Sequence, residues 1–117
     1  MKKRIFLTGM LTIGLIAAHA QSKIAAKQDT LTLFRAKINQ LDKDIVHLLG
    51  ERMEAARVIG AYKMAHKMEV VQSNRFNEVL QQAISHGKSA GLSEEFIKAL
   101  YEAIHKESIR QQEALKQ

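Results

Sequence analysis

Three cations interrupt an otherwise regular apolar helical pattern in this sequence: Arg35, Arg52 and Lys63. Guanidinium and ammonium groups are the side chains best suited to hold a small anion, and arginine's planar fork matches both oxygens of a carboxylate. Arg52 and Lys63 are eleven residues apart. On a helix that places them within about 20° of one face and about 16 Å apart along the axis. Arg35, seventeen residues before Arg52, points about 100° away and sits about 25 Å down the axis. One chain cannot easily bring all three to one pocket, whereas an antiparallel second copy can. Further along, Ser108 and Gln112 are four residues apart and share a helix face. Ser108 falls within the apolar register, where it either satisfies a backbone carbonyl or faces a polar cavity. Arg75 stands near the start of a helix, where the helix dipole disfavours a cation, and so hints at a nearby anion. Taken singly, each of these residues also reads as ordinary solvated surface.

Other chemistries find little support. Glu102-Ala-Ile-His105 matches one half of a di-iron carboxylate site, but no second Glu-x-x-His is present. The five histidines (His19, His47, His66, His86 and His105) form no His-x-x-x-His pair for zinc. There is no glycine-rich phosphate loop and no serine in a nucleophile signature. No cofactor and no metal are expected.

The elements that must carry these residues are helices. Leu31, Phe34, Ile38, Leu41, Ile45, Leu48, Met53, Ala56 and Ile59 recur mostly at steps of three and four. Asp29 or Thr30 is expected to cap this helix, after a frayed polar lead-in over 21–28, and nothing stops it before about Lys67. A helix of roughly 36 residues is about 54 Å long, whereas a globule of this size is about 30 Å across. Its stripe therefore needs a second molecule. After a break near Lys67 to Gln72, Ser73 is expected to cap a second helix whose apolar face is Phe76, Val79, Leu80, Ala83 and Ile84. Gly87 and Gly91 are expected to bracket the next turn. Ser93, followed by Glu94 and Glu95, is expected to cap a third helix carrying Phe96, Ile97, Leu100, Ile104 and Ile109. No strand-like alternation is visible. The expected fold class is all-α, with one long, one short and one medium helix.

The first twenty residues read as a secretory leader: a cationic start of Lys2, Lys3 and Arg4, an apolar run from Ile5 to Ala17, then Ala18-His19-Ala20. The run is short of the roughly 20 residues that cross a bilayer. Cleavage between Ala20 and Gln21 would leave residues 21–117 as one domain, in the periplasm or secreted and without a membrane anchor. Of the chain's net charge of +6, three cations leave with the leader, so the remainder does not argue for nucleic acid, which needs a concentrated basic stripe. The chain has no cysteine; a small exported domain without disulfides commonly gains stability by oligomerising. The helical stripe also fits a coiled coil or a membrane-surface helix, but its polar face is mixed in sign.

Read together, Leu33-Phe34-Arg35-Ala-Lys-Ile-Asn-Gln-Leu41-Asp42, Leu48-Leu49-Gly-Glu51-Arg52, Gly60-Ala61-Tyr62-Lys63, Asn74-Arg75 and Ser108-Ile-Arg-Gln-Gln112 resemble the all-helical chorismate mutases. The order and spacing of the five pieces carry the resemblance over roughly Leu33 to Leu115. It implies an intertwined homodimer of three-helix chains in which Arg35 crosses from the partner. It also implies that Arg35 and Arg52 hold the two carboxylates of chorismate, that Lys63 and Gln112 donate to the ether oxygen of the breaking bond, that Ser108 contacts a carboxylate and that Arg75 supports the pocket. Arg52, Lys63 and Gln112 would be the catalytic groups. Two positions depart from the family pattern. Gln72 stands where many members have an acid near the loop. Phe76 stands where they have a Glu that contacts the ring hydroxyl; Gln72 can still hydrogen-bond that hydroxyl, but Phe76 cannot.

Two other readings remain open on the sequence. Isochorismate–pyruvate lyases share the scaffold and the cationic pocket and also lack the two acids, although Ser108 leans towards the mutase. A non-catalytic exported helical dimer used as a binding module is the other. An amide at Gln112 donates at any pH, so turnover is expected to show no acid optimum.

Overall fold

The computed structural model describes residues 12–117. The cationic start and the first part of the apolar run of the expected leader lie outside the described residues. Among the described residues there are three helices and no strand: α1 (Thr12–Ala65), α2 (Ser73–Ser89) and α3 (Glu94–Ala114). None is long and apolar enough to cross a membrane. The all-helical class and the order long, short, medium agree with the periodicity.

The first helix begins earlier than its caps suggested. Residues 21–28 are helical rather than a frayed lead-in, and neither Asp29 nor Thr30 caps anything. The Thr30 hydroxyl instead donates to the Ala26 carbonyl four residues back, and Thr32 does the same to Gln28. A threonine that returns its hydroxyl to its own helix removes the competition that would have made it a cap. With no Pro or Gly between Gln21 and Leu49, nothing in the backbone ends the helix there.

The chain divides into two units, Met1–Ile45 and Val46–Gln117. In the first, every described side chain from His19 onward is exposed, including Leu31, Phe34, Ile38, Leu41 and Ile45. Among the described residues the buried apolar core lies in the second unit: Met53 and Ala56 from α1, Val70 from the connection, Ala83 from α2, and Ile97 and Ile104 from α3. Each large member contributes about 1.5–3 kcal/mol by leaving water.

Two close approaches shape this unit. Gly87 does not sit in the turn; it is buried inside α2, where a Cβ would come within 2.5 Å of Ile97 Cγ1. Gly60 on α1 is buried likewise, and a Cβ there would lie 2.7 Å from Gln112 Cγ. Both glycines let α3 approach.

The helix ends explain the turns. α1 stops at Ala65 because Lys67 adopts a left-handed φ of 53°. Met68 N–H then donates to the Lys63 carbonyl (2.8 Å) and Lys67 N–H to the Met64 carbonyl (3.2 Å). This is the paired C-terminal closure usually built on glycine. α2 closes in the same way on Gly91, at φ 77°, with Leu92 N–H donating to the Gly87 carbonyl (2.8 Å). Ser73 is the first residue of α2 rather than its cap; Gln72 holds the cap position and makes no side-chain cap bond. Ser93 does cap α3, accepting from Phe96 N–H at 3.2 Å, and Glu94 and Glu95 occupy its first turn.

Candidate active site

A cavity of about 420 Å³ opens within the second unit, lined by all three helices and the α1–α2 connection. Six of the seven residues expected to bind substrate reach it: Arg52, Lys63, Gln72, Arg75, Ser108 and Gln112. The seventh, Arg35, is exposed on α1 in the first unit and is not among the lining residues.

Each helix delivers its share by register. α1 brings Arg52, Ile59 and Lys63 at steps of seven and four, so they fall on one face. α3 brings Tyr101, His105, Ser108 and Gln112 at steps of four, three and four. α2 supplies Arg75 and Phe76 from its first turn and Val79 from its second.

One connected polar cluster organises the inner end. The Lys63 ammonium is half-buried and donates to the Val70 carbonyl at 2.8 Å and to Gln112 Oε1 at 3.4 Å. Gln112 Nε2 in turn donates to Ser108 Oγ at 3.1 Å. An ammonium has no acceptor, so the amide oxygen must face Lys63 and the amide nitrogen must face the serine. Gln112 and Ser108 are both buried, and buried amides and hydroxyls persist only when hydrogen-bonded. Each has its partner in this cluster. Ser108 is thus the polar-cavity alternative, accepting from a neighbouring side chain rather than returning its hydroxyl to the backbone.

The charge is one-sided. Arg52, Lys63 and Arg75 line the cavity, and none of its described lining residues is an Asp or Glu. Arg75 has a partner outside the lining: its Nη1 lies 3.3 Å from Glu78 Oε2, one turn further along α2. That acid accounts for part of the misplacement of a cation at a helix start. His105 is stacked on Phe76, with ring centroids 4.1 Å apart and planes at 24°. Burial, then the positive charges of Arg52 and Lys63, push the His105 pKa below its ordinary value, which keeps the ring neutral near neutral pH.

Such an arrangement is chemically suited to binding and orienting a small polyanion. Among the described residues no three metal-ligating side chains gather around a possible ion. The lining holds no cysteine, and its one serine is occupied by Gln112 rather than set against a base. What the cavity offers is fixed positive charge and amide and hydroxyl hydrogen bonds.

The family model for chorismate mutase type II matches residues 34–113. The chain belongs to that family. The match spans all seven expected substrate-binding positions, and a chorismate mutase domain therefore covers both the cavity and Arg35. Two bifunctional chorismate mutase/prephenate dehydratases are similar to it. The one from Buchnera aphidicola subsp. Acyrthosiphon pisum is 34% identical over 87 residues, which is 74% of this chain and 23% of that protein. The one from Escherichia coli (strain K12) is 32% identical over 90 residues, 77% of this chain and 23% of that protein. A 4-amino-4-deoxychorismate mutase from Streptomyces pristinaespiralis is 28% identical over 86 residues, 74% of this chain and 67% of that protein. The chain thus spans about a quarter of the length of the bifunctional relatives.

Sequence reasoning about this chorismate mutase domain missed three contributors. The Val70 carbonyl tethers Lys63, and a backbone acceptor carries no residue signature. Gly60 makes room for Gln112; its place in Gly60-Ala61-Tyr62-Lys63, inside an otherwise glycine-poor helix, was the available signal. His105 reads from the sequence only as a possible metal ligand, although its position three residues before Ser108 puts it on the site face.

Proposed function

We propose that this protein rearranges chorismate to prephenate, that it works as an interlocked homodimer in which the partner subunit's Arg35 completes each cavity, and that it is exported with residues 1–20 removed. The observation that carries the reaction is the convergence of Arg52, Lys63, Arg75, Ser108 and Gln112 on one cavity whose described lining has no carboxylate. Chorismate is a dianion, and its rearrangement is a one-substrate pericyclic step that moves no proton and forms no covalent intermediate. Such a step needs the reactive conformer held in place and stabilisation of the negative charge that grows on the ether oxygen. Arg52 pairs with a carboxylate, Ser108 contacts a carboxylate, and Lys63 with the free N–H of Gln112 donates to the ether oxygen. Gln72, at the open start of α2, remains available to the ring hydroxyl.

The dimer is supported by the uncovered apolar stripe of α1, where Phe34 and Ile38 are 54% and 55% exposed. A run of large apolar side chains in water is the mark of a surface meant for a partner. Of the three lining cations Arg75 is already paired with Glu78, which leaves Arg52 and Lys63 for two carboxylates and an ether oxygen, and Arg35 lies on that same stripe-bearing segment. Export is supported by the three-part layout of residues 1–20; the mature protein is expected to begin at Gln21 on N-terminal sequencing. A cationic 4-amino substituent would find no carboxylate in the cavity, which favours chorismate over its 4-amino relative. The buried Ser108–Gln112 pair favours the mutase over pyruvate elimination from isochorismate.

One experiment tests the reaction and the dimer together. Chorismate consumption by the wild type should yield prephenate, and Arg52→Ala and Arg35→Ala should each lose at least about a hundredfold in kcat/KM. Unfolding and refolding the two variants together should restore about a quarter of the wild-type rate, because half the dimers then contain one intact site of two. Pyruvate from isochorismate without prephenate from chorismate would overturn the mutase reading. Two inactive variants that stay inactive when mixed would overturn the shared site.

A further inference from the structure

We infer that the His105 imidazole, held face to face against Phe76, hydrogen-bonds the ring hydroxyl of the substrate, to which Gln72 also has access, and so selects a hydroxylated ring. The inference rests on the proposed reaction but concerns a different contact. Three observations carry it. First, the cavity's cations suit carboxylates, and its described lining contains no acid to accept a hydroxyl proton. Second, two of the α3 side chains nearest Lys63 are already engaged: Ser108 accepts from Gln112, and the Gln112 amide oxygen accepts from Lys63. Third, His105 lies on the same lining face, half-buried, and the Phe76 ring at 4.1 Å fixes the plane of its own.

A neutral imidazole has one donor and one acceptor nitrogen in that plane, so it can accept the hydroxyl proton or donate to the hydroxyl oxygen. Burial together with Arg52 and Lys63 favours that neutral form. The aromatic pair thus has two parts. Phe76 presents a flat apolar wall that holds the ring at a set angle, and His105 lines the cavity beside it. A site that hydrogen-bonds a hydroxyl discriminates strongly against an analogue lacking it, because the protein's own polar group is then left without a partner.

The test compares chorismate with a chorismate analogue lacking the ring hydroxyl, using His105→Leu and His105→Gln. Wild-type turnover of chorismate is measured first; its absence would sink the reaction itself and not this contact. Given turnover, His105→Leu should raise KM for chorismate about three- to tenfold, the worth of one net hydrogen bond, with kcat within about twofold. The same substitution should leave KM for the deoxy analogue unchanged, so that the two perturbations fail to add. His105→Gln, which keeps a donor and an acceptor, should retain most of the affinity for chorismate. If His105→Leu does not fold, His105→Gln together with the wild-type preference for chorismate over the deoxy analogue decides. Equal KM values for the two ligands in the wild type, equal losses for both ligands in either variant, or a loss confined to kcat would overturn the inference.

Discussion

Gly60→Ala separates the placement of Gln112 from the stability of the helices. The added Cβ would meet Gln112 Cγ at 2.7 Å, Gln112 Cβ at 3.1 Å and Leu115 Cδ1 at 3.1 Å. Leu115 is exposed, and its side-chain end can swing aside. The two Gln112 carbons sit close to the α3 backbone, so relief requires either a new rotamer at Gln112 or a small retreat of α3. Overpacking of this kind costs about 1–3 kcal/mol, while alanine in place of glycine inside a helix returns about 1 kcal/mol. The net loss should be no more than about 2 kcal/mol, and the protein should remain folded. Catalysis should suffer more. Gln112 would give up the 3.4 Å contact with Lys63 and the 3.1 Å contact with Ser108, and with them the direction of its free N–H. Losing a preorganised donor outright lowers kcat by about 10²–10³, so a displaced one should lower it by at least about tenfold. Chorismate kinetics at saturating substrate, with urea denaturation on the same preparation, read the two effects separately. Gly60→Ala combined with Gln112→Ala should be no slower than Gln112→Ala alone. An unchanged kcat in a measurably destabilised Gly60→Ala protein would refute the assignment of Gln112 to the reacting atoms.

Gln112→Glu should convert a rate without an acid optimum into one that rises only in acid. A Glu at this buried position donates only when protonated, so its rate should climb as pH falls through that carboxyl's titration; a pH–kcat profile of both proteins checks this. Glu107 has its carboxylate pulled down to about 2 by hydrogen bonds from Arg110 and then Gln111. Its folded pKa lies below its unfolded one, so its stabilisation is present above the unfolded carboxylate range and disappears as pH falls through about 2. An NMR titration should show that low midpoint, and Arg110→Ala should move it back towards the usual range. Lys67→Gly should raise stability by up to about 1 kcal/mol in urea denaturation, since a left-handed φ of 53° penalises every side chain with a Cβ.

The helices were readable because they are long and strongly periodic, and the cavity residues because α1 and α3 each carry theirs on one face. Spacing puts Arg52 with Lys63, and Ser108 with Gln112, on shared helix faces; that the two pairs meet in one site was implied only by the resemblance to the chorismate mutases. Helix ends were harder to read. Thr30 and Ser73 are good caps in isolation, but each sits where the backbone continues as helix, and the decision falls to neighbours rather than to the residue itself. Gly87 is similar: its role depends on Ile97, ten residues later and on another helix. The first closure was illegible because the left-handed position is filled by Lys67, a residue type that gives no turn signal. The partner of His105 could not be read from one strand of text either, since stacking on Phe76 is a property of two helices packed together.

An ammonium has three hydrogens, and Lys63 has already committed two. One goes to the Val70 carbonyl and one to the Gln112 amide oxygen, which leaves a single hydrogen for a guest. The two anchors act as guy-lines on a long, supple side chain: they remove the swivelling that a lone lysine would have to give up on meeting its ligand. The same nitrogen also ties down the segment between α1 and α2. Clipping that segment, or lengthening it, should therefore slacken the reactive end of Lys63 although no atom of the lysine has been altered.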